Sequence, residues 1–138
     1  MYNKNMKDYS ILEKWIDDYN GAAIYSLVDN KGKRYIGQAL HLQQRLETHR
    51  RALNKAFKEP NNIEIVENAN LIKAVRNGVK FKVEILYKIP YHETTKNMLR
   101  YYENYYFQKY GGYNDAYNIA PIYAPVWHYE GYNKIINN

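Results

Sequence analysis

The spacing of apolar positions changes several times along the chain, and each change marks an element. The run Ala22 to Val28 is short, apolar and rich in strand formers, and a second such run covers Lys33 to Gln38. Between them Asp29-Asn30-Lys31-Gly32 supplies turn formers, so the two runs read as a β-hairpin. The spacing then becomes helical. Leu42, Leu46 and Leu53 form one stripe of a helix spanning about His41 to Phe57, and Arg45 sits at its edge, four residues before His49. That separation puts the cation and the imidazole on one face.

Glu59-Pro60-Asn61-Asn62 interrupts the pattern. A short helix follows from about Asn70 to Asn77, with Leu71, Ile72 and Val75 inward and Gly78 as its stop. Phe81, Val83, Ile85 and Tyr87 then alternate with Lys82, Glu84 and Leu86, a half-buried strand closing at Ile89-Pro90. The last helix is expected from about Thr94 to Tyr110, stopping at Gly111-Gly112. Its inward stripe is Leu99, Tyr102, Tyr106, Phe107 and Tyr110, and Glu103 falls inside it. A carboxylate there is costly unless a cation or hydrogen bonds meet it.

Upstream, Ser10-Ile11-Leu12-Glu13 has the form of a capping box. Ile11, Leu12, Trp15, Ile16 and Tyr19 then share a face of a helix ending at Asn20-Gly21, with Glu13, Asp17 and Asp18 turned outward. That helix would cover the core. Beyond residue 113 no period is clear; Tyr117-Asn118, Pro121, Pro125 and Trp127-His128-Tyr129 suggest a segment that wraps the domain or meets another copy. The expected organisation is one domain, 1–138: an N-terminal helical extension (1–21), a core (22–120) and an aromatic tail (121–138). The expected class is α/β, a small antiparallel three-stranded sheet flanked by helices.

Composition narrows the function. The mean hydropathy is −0.75, so the core must be economical, and 17 tyrosines supply much of its apolar area. A net charge of +6 suits a polyanion such as nucleic acid. The absence of cysteine excludes disulfides and thiolate metal sites. No apolar run reaches the length of a membrane span and no signal peptide is visible, so a cytoplasmic setting is expected. His41, His92 and His128 lack the spacing of a zinc site.

The residues with reactive side chains suit phosphodiester hydrolysis. That reaction needs a water, an acceptor for its proton, and positive charge on the phosphate. Arg45 can clamp non-bridging oxygens. Glu103 can hold Mg²⁺ or Mn²⁺ with most coordination positions left to water and phosphate. Tyr25 or Tyr35 can act on the water, helped by a cation that lowers a phenol pKa, and His49 can share that duty. Gly37 is expected to let backbone approach phosphate, with close packing or the strand-to-helix turn as the alternative, and Gln38 beside it is a further substrate contact. Arg50, Arg51 and Lys55 form an outward basic band that suits phosphate contact as well as solvation.

Ala23-Ile24-Tyr25, Tyr35-Ile36-Gly37, Arg45, His49, Glu103 and Asn118 occur in that order, and the set resembles the GIY-YIG nuclease family over roughly residues 22 to 120. Ala23 stands where the family has Gly, a difference of one methyl. The resemblance implies a stand-alone endonuclease acting on DNA. In such a site both tyrosines and the position of His49 take part in activating water. Glu103 holds a single divalent metal, and Asn118 helps hold the site together. Cutting both strands with one site per chain requires a dimer or higher homo-oligomer, or sequential nicking. The biological role would be restriction, repair, or cleavage of phage or mobile-element DNA. The competing readings are a non-catalytic nucleic-acid-binding module and a protein-interaction factor on the same fold.

Overall fold

The computed structural model describes Leu12, residues 17–89 and residues 96–119. Strand β1 (Ala22–Val28) is followed by β2 (Arg34–Ala39), helix α1 (Leu42–Lys58), helix α2 (Ala69–Arg76), strand β3 (Lys82–Ile89), helix α3 (Lys96–Lys109) and a 3-10 turn (Gly112–Asp115). The sheet has the order β2-β1-β3 and both pairings are antiparallel. This is an α/β fold, a three-stranded antiparallel sheet flanked by three helices. Among the described residues no helix is long and apolar enough to cross a membrane.

Central β1 is covered on both sides, which explains its nearly uninterrupted apolar sequence. Ala23, Tyr25 and Leu27 pack with Leu42, Leu46 and Leu53 of α1 and Leu71 and Val75 of α2. Ala22 and Ile24 face the other way and pack with Ile36, Ile89, Leu99 and Phe107. Burying Leu42, Leu46 and Leu53 completely contributes about 1.5–3 kcal/mol per side chain. The hairpin turn is tied by Asp29, whose Oδ1 accepts from Lys31 N at 2.8 Å and Lys33 N at 2.9 Å. Gly32 at φ 88° supplies the left-handed residue of that turn.

Two expectations change. The helix expected to run to Asn20 does not include residues 17–20, which are irregular. There Asp17 accepts from Tyr19 N and pairs with Lys88. Residues 10, 11 and 13–16 of that helix lie outside the described residues, as does the tail 121–138. The alternation in β3 also breaks. A bulge shifts the register so that Tyr25 faces Ile85 but Ile24 faces Tyr87. Tyr87 therefore leaves the face of Phe81, Val83 and Ile85 and stacks on Tyr102 of α3, with ring centroids 4.6 Å apart.

Candidate active site

The site is built around β2, an edge strand of the sheet. Tyr35 and Gly37 project toward α1, and Gln38 toward α3. The side of β2 away from β1 is held by Asn118. Its Oδ1 accepts from Ile36 N at 3.0 Å and its Nδ2 donates to Ile36 O at 2.8 Å. The amide thus stands in for one residue of a neighbouring strand and fixes the backbone between Tyr35 and Gly37. This is a positioning task.

Tyr25 of β1 pairs with Gly37 across the strands. A Cβ on Gly37 would lie 2.5 Å from both Cζ and the hydroxyl of Tyr25. The space over Gly37 is therefore filled by phenol, and the expected approach of substrate to its backbone is replaced by close packing. Tyr25 and His49 have no exposed surface. The Tyr25 hydroxyl and His49 Nε2 are 2.6 Å apart, and the His49 ring lies 5.5 Å from that of Tyr35, centroid to centroid.

On its other side His49 Nδ1 is 2.7 Å from Glu67 Oε2. Glu67 lies just before α2, and its Oε1 accepts from Asn68 N at 2.8 Å. Asn68 in turn caps α2 by accepting from Leu71 N. Glu67 does not stand out in the sequence, because it lies in a polar connection without period. The available signal was Glu67-Asn68 at a helix start, with the cap residue itself preceded by a carboxylate.

Arg45 lies one turn before His49 on α1 and is exposed at the edge of the buried stripe. Its charge acts on Tyr25, Tyr35, Glu67 and Glu103 alike. Burial nevertheless pushes the Tyr25 phenol well above its ordinary pKa, with the neighbouring Tyr35 adding to the rise and Arg45 opposing it. Tyr35 is raised mainly by burial as well. Arg45 lowers both phenol pKa values, as expected of a nearby cation, but desolvation outweighs it and the net shift is upward. Burial also works against ionisation of Glu67, but the hydrogen bonds from His49 and Asn68 N, with the field of Arg45, prevail and hold its carboxyl low.

Glu103 reaches the site from α3, where Leu99 and Phe107 of the same stripe are buried. Gln38 Nε2 donates to its Oε1 at 3.3 Å, so Gln38 holds the acid. Burial raises the Glu103 pKa to about 7, against the Gln38 hydrogen bond and the fields of Arg100 and Arg45. A desolvated carboxylate with so little countercharge fits a divalent cation, which would supply it. No group of three His, Cys, Asp or Glu among the described residues could hold a metal ion. Such an ion would be held by Glu103, with its other positions left to non-protein oxygens.

The basic band is only partly brought to the site. Each helical residue turns by about 100°, so Arg50 lies about 140° around α1 from Arg45. Arg50 and Arg51 both pair with Glu47. Lys55, about 80° from Arg45 by the same turn, continues outward from the site's flank of the helix. A hollow of about 640 Å³ lined by Asp29, Lys31, Asn77 and Lys82 opens at the hairpin end of the sheet. None of the reacting groups lines it.

Residues 21–118 match the family model of the GIY-YIG catalytic domain. The chain belongs to the GIY-YIG family. The match spans both strands of the hairpin, all three helices and Asn118, and it is a family of nuclease-type endonucleases. No curated protein and no solved structure matches the chain. Of the GIY-YIG residues read from the sequence, Tyr25, Tyr35 and His49 are in ring contact, Arg45 acts on both phenols from the helix that carries His49, and Glu103 is held by Gln38 within the field of Arg45.

Proposed function

We propose that the chain is a divalent-metal-dependent DNA endonuclease. The observation that carries this reading is the position of Arg45, whose charge acts on both phenols and on Glu103 from the exposed rim of the site. A phosphate bound by the guanidinium would lie between the group that holds the metal and the groups that handle the water's proton.

Each residue then has a task. Arg45 binds the non-bridging oxygens and neutralises charge as the new P–O bond forms. Tyr35, the phenol with some exposed surface, orients the attacking water. Tyr25 lies beneath it and connects the site to His49. Glu103 would hold Mg²⁺ or Mn²⁺, which supplies Lewis-acid stabilisation of the phosphate and leaving oxygen when bound. Gln38 keeps the Glu103 carboxylate in place, and Asn118 keeps Tyr35 in place through Ile36. The net charge of +6 supports a nucleic-acid substrate through non-specific phosphate attraction. Cleavage of both strands would proceed through a homo-oligomer or through two successive nicks.

The test is incubation of supercoiled plasmid with the protein in Mg²⁺, in Mn²⁺ and in chelator. Metal-dependent conversion to nicked or linear DNA is expected. DNA binding without cleavage in any divalent metal would refute the reading in favour of a binding module.

A further inference from the structure

The nuclease reading uses Tyr25, Tyr35, Arg45, His49 and Glu103, and leaves Glu67 without a task. Yet this carboxylate, only 6% exposed in its side chain, ends a buried chain of hydrogen bonds that starts at the Tyr25 hydroxyl. The direction of that chain follows from its acidic end. An ionised Glu67 can only accept, so His49 donates from Nδ1 to Glu67 Oε2 at 2.7 Å. In the neutral ring Nε2 then accepts, and the Tyr25 O–H 2.6 Å away donates to it. The lone pairs of the Tyr25 oxygen are left for the Arg45 side, whose charge acts on that phenol.

We propose that Glu67 is a positioning residue for cleavage, fixing His49 as the Nδ1–H tautomer so that the Tyr25 oxygen presents an acceptor to the Arg45 side of the site. The proposal rests on the nuclease reading and extends it by one residue. In the opposite tautomer, Nε2–H would donate to Tyr25 and turn the phenol proton toward the guanidinium. Two donors would then face each other, and Arg45 would be displaced from the position in which it meets phosphate. The same logic governs a histidine oriented by a buried carboxylate elsewhere in enzyme chemistry, where loss of the acceptor leaves the fold intact and the wrong tautomer in place. Glu67 is well anchored for this, because Oε1 is engaged by Asn68 N and Oε2 alone is offered to His49.

The test has two arms on the full chain. Ring-nitrogen NMR of histidine-labelled wild type, with His49 assigned by comparison with His49→Gln, should show His49 neutral and protonated on Nδ1. Protonation on Nε2, or on both nitrogens, at pH 8 would overturn the proposal. In Glu67→Gln the new amide can donate to Nδ1, and the His49 proton should move to Nε2. Plasmid cleavage by Glu67→Gln should lose about 10²–10⁴-fold in kcat, with KM unchanged within about threefold. Glu67→Asp, which keeps the acceptor, should recover most of that loss. Cleavage by Glu67→Gln within threefold of wild type would overturn the proposal and leave the nuclease reading standing. Wild type that cuts no DNA in any divalent metal would remove the nuclease reading and the role in cleavage together. The tautomer measurement distinguishes these failures, since it is read on the wild-type protein and needs no activity.

Discussion

Replacing Glu103 by Gln should make the metal-free protein more stable at alkaline pH. Glu103 is carried inward between Leu99 and Phe107, and among the described residues its hydrogen bond is the 3.3 Å contact from Gln38. Its pKa stands at about 7 instead of the ordinary 4.5, with burial as the first cause. The folded state therefore binds the Glu103 proton more tightly than the unfolded chain does. For an acid raised in this way, stability falls as pH rises from about 4.5 to about 7, and the full penalty persists above that. At about 1.4 kcal/mol for each tenfold change in proton affinity, the ionised carboxylate costs up to about 3 kcal/mol. Gln keeps the size and carries no charge. Urea unfolding should therefore show Glu103→Gln more stable than wild type by about 2–3 kcal/mol at pH 8.5 and equal to it near pH 4.5. Added Mg²⁺ should narrow the gap at pH 8.5 by stabilising wild type only, by about 1.4 kcal/mol at ten times its dissociation constant. A variant less stable than wild type at pH 8.5 would refute the reasoning, because it would mean that the ionised acid is well compensated in the metal-free fold.

Two further outcomes follow from the packing of β2. Gly37→Ala places a methyl 2.5 Å from the Tyr25 ring and hydroxyl, so it should cost about 1–3 kcal/mol of stability and suppress cleavage by displacing Tyr25 from His49. Thermal unfolding and plasmid nicking report the two effects, and a fully active, fully stable Gly37→Ala would contradict the packing described. Asn118→Ala strips two hydrogen bonds from the Ile36 backbone and should cost about 1–3 kcal/mol. It should lower kcat by more than it alters DNA affinity; an equal loss in both would argue that Asn118 contacts DNA directly.

What the sequence revealed, and what it withheld, divides along a physical line. β1 has the expected limits because it is buried on both faces and bounded by turn formers. α1 lies within one residue of its expected limits because Leu42, Leu46 and Leu53 set its phase. The i, i+4 spacing of Arg45 and His49 and the place of Glu103 within an apolar stripe follow from helix geometry alone. The readings that changed depend on pairing between distant segments. Gly37 looked like an opening for phosphate until the strand register set Tyr25 over it. The bulge that turns Tyr87 toward α3 is an extra residue against β1 and leaves no mark in local alternation. Glu67 gained its partner from a residue 18 positions away, and its local sequence marks it only as a carboxylate beside a helix cap. Burial also outweighs the lowering of the phenol pKa values by Arg45, because desolvation depends on the whole neighbourhood and not on one cation.

The central claim is that Arg45, the two phenols and Glu103 serve one phosphodiester. It is tested most directly by single-turnover cleavage of a plasmid by wild type, Arg45→Ala, Tyr35→Phe and Glu103→Gln, with DNA binding measured on the same samples. The account predicts metal-dependent nicking by wild type, none by Glu103→Gln, and strongly reduced nicking by the other two, with binding retained throughout. Cleavage by Glu103→Gln at the wild-type rate in Mg²⁺ would contradict it.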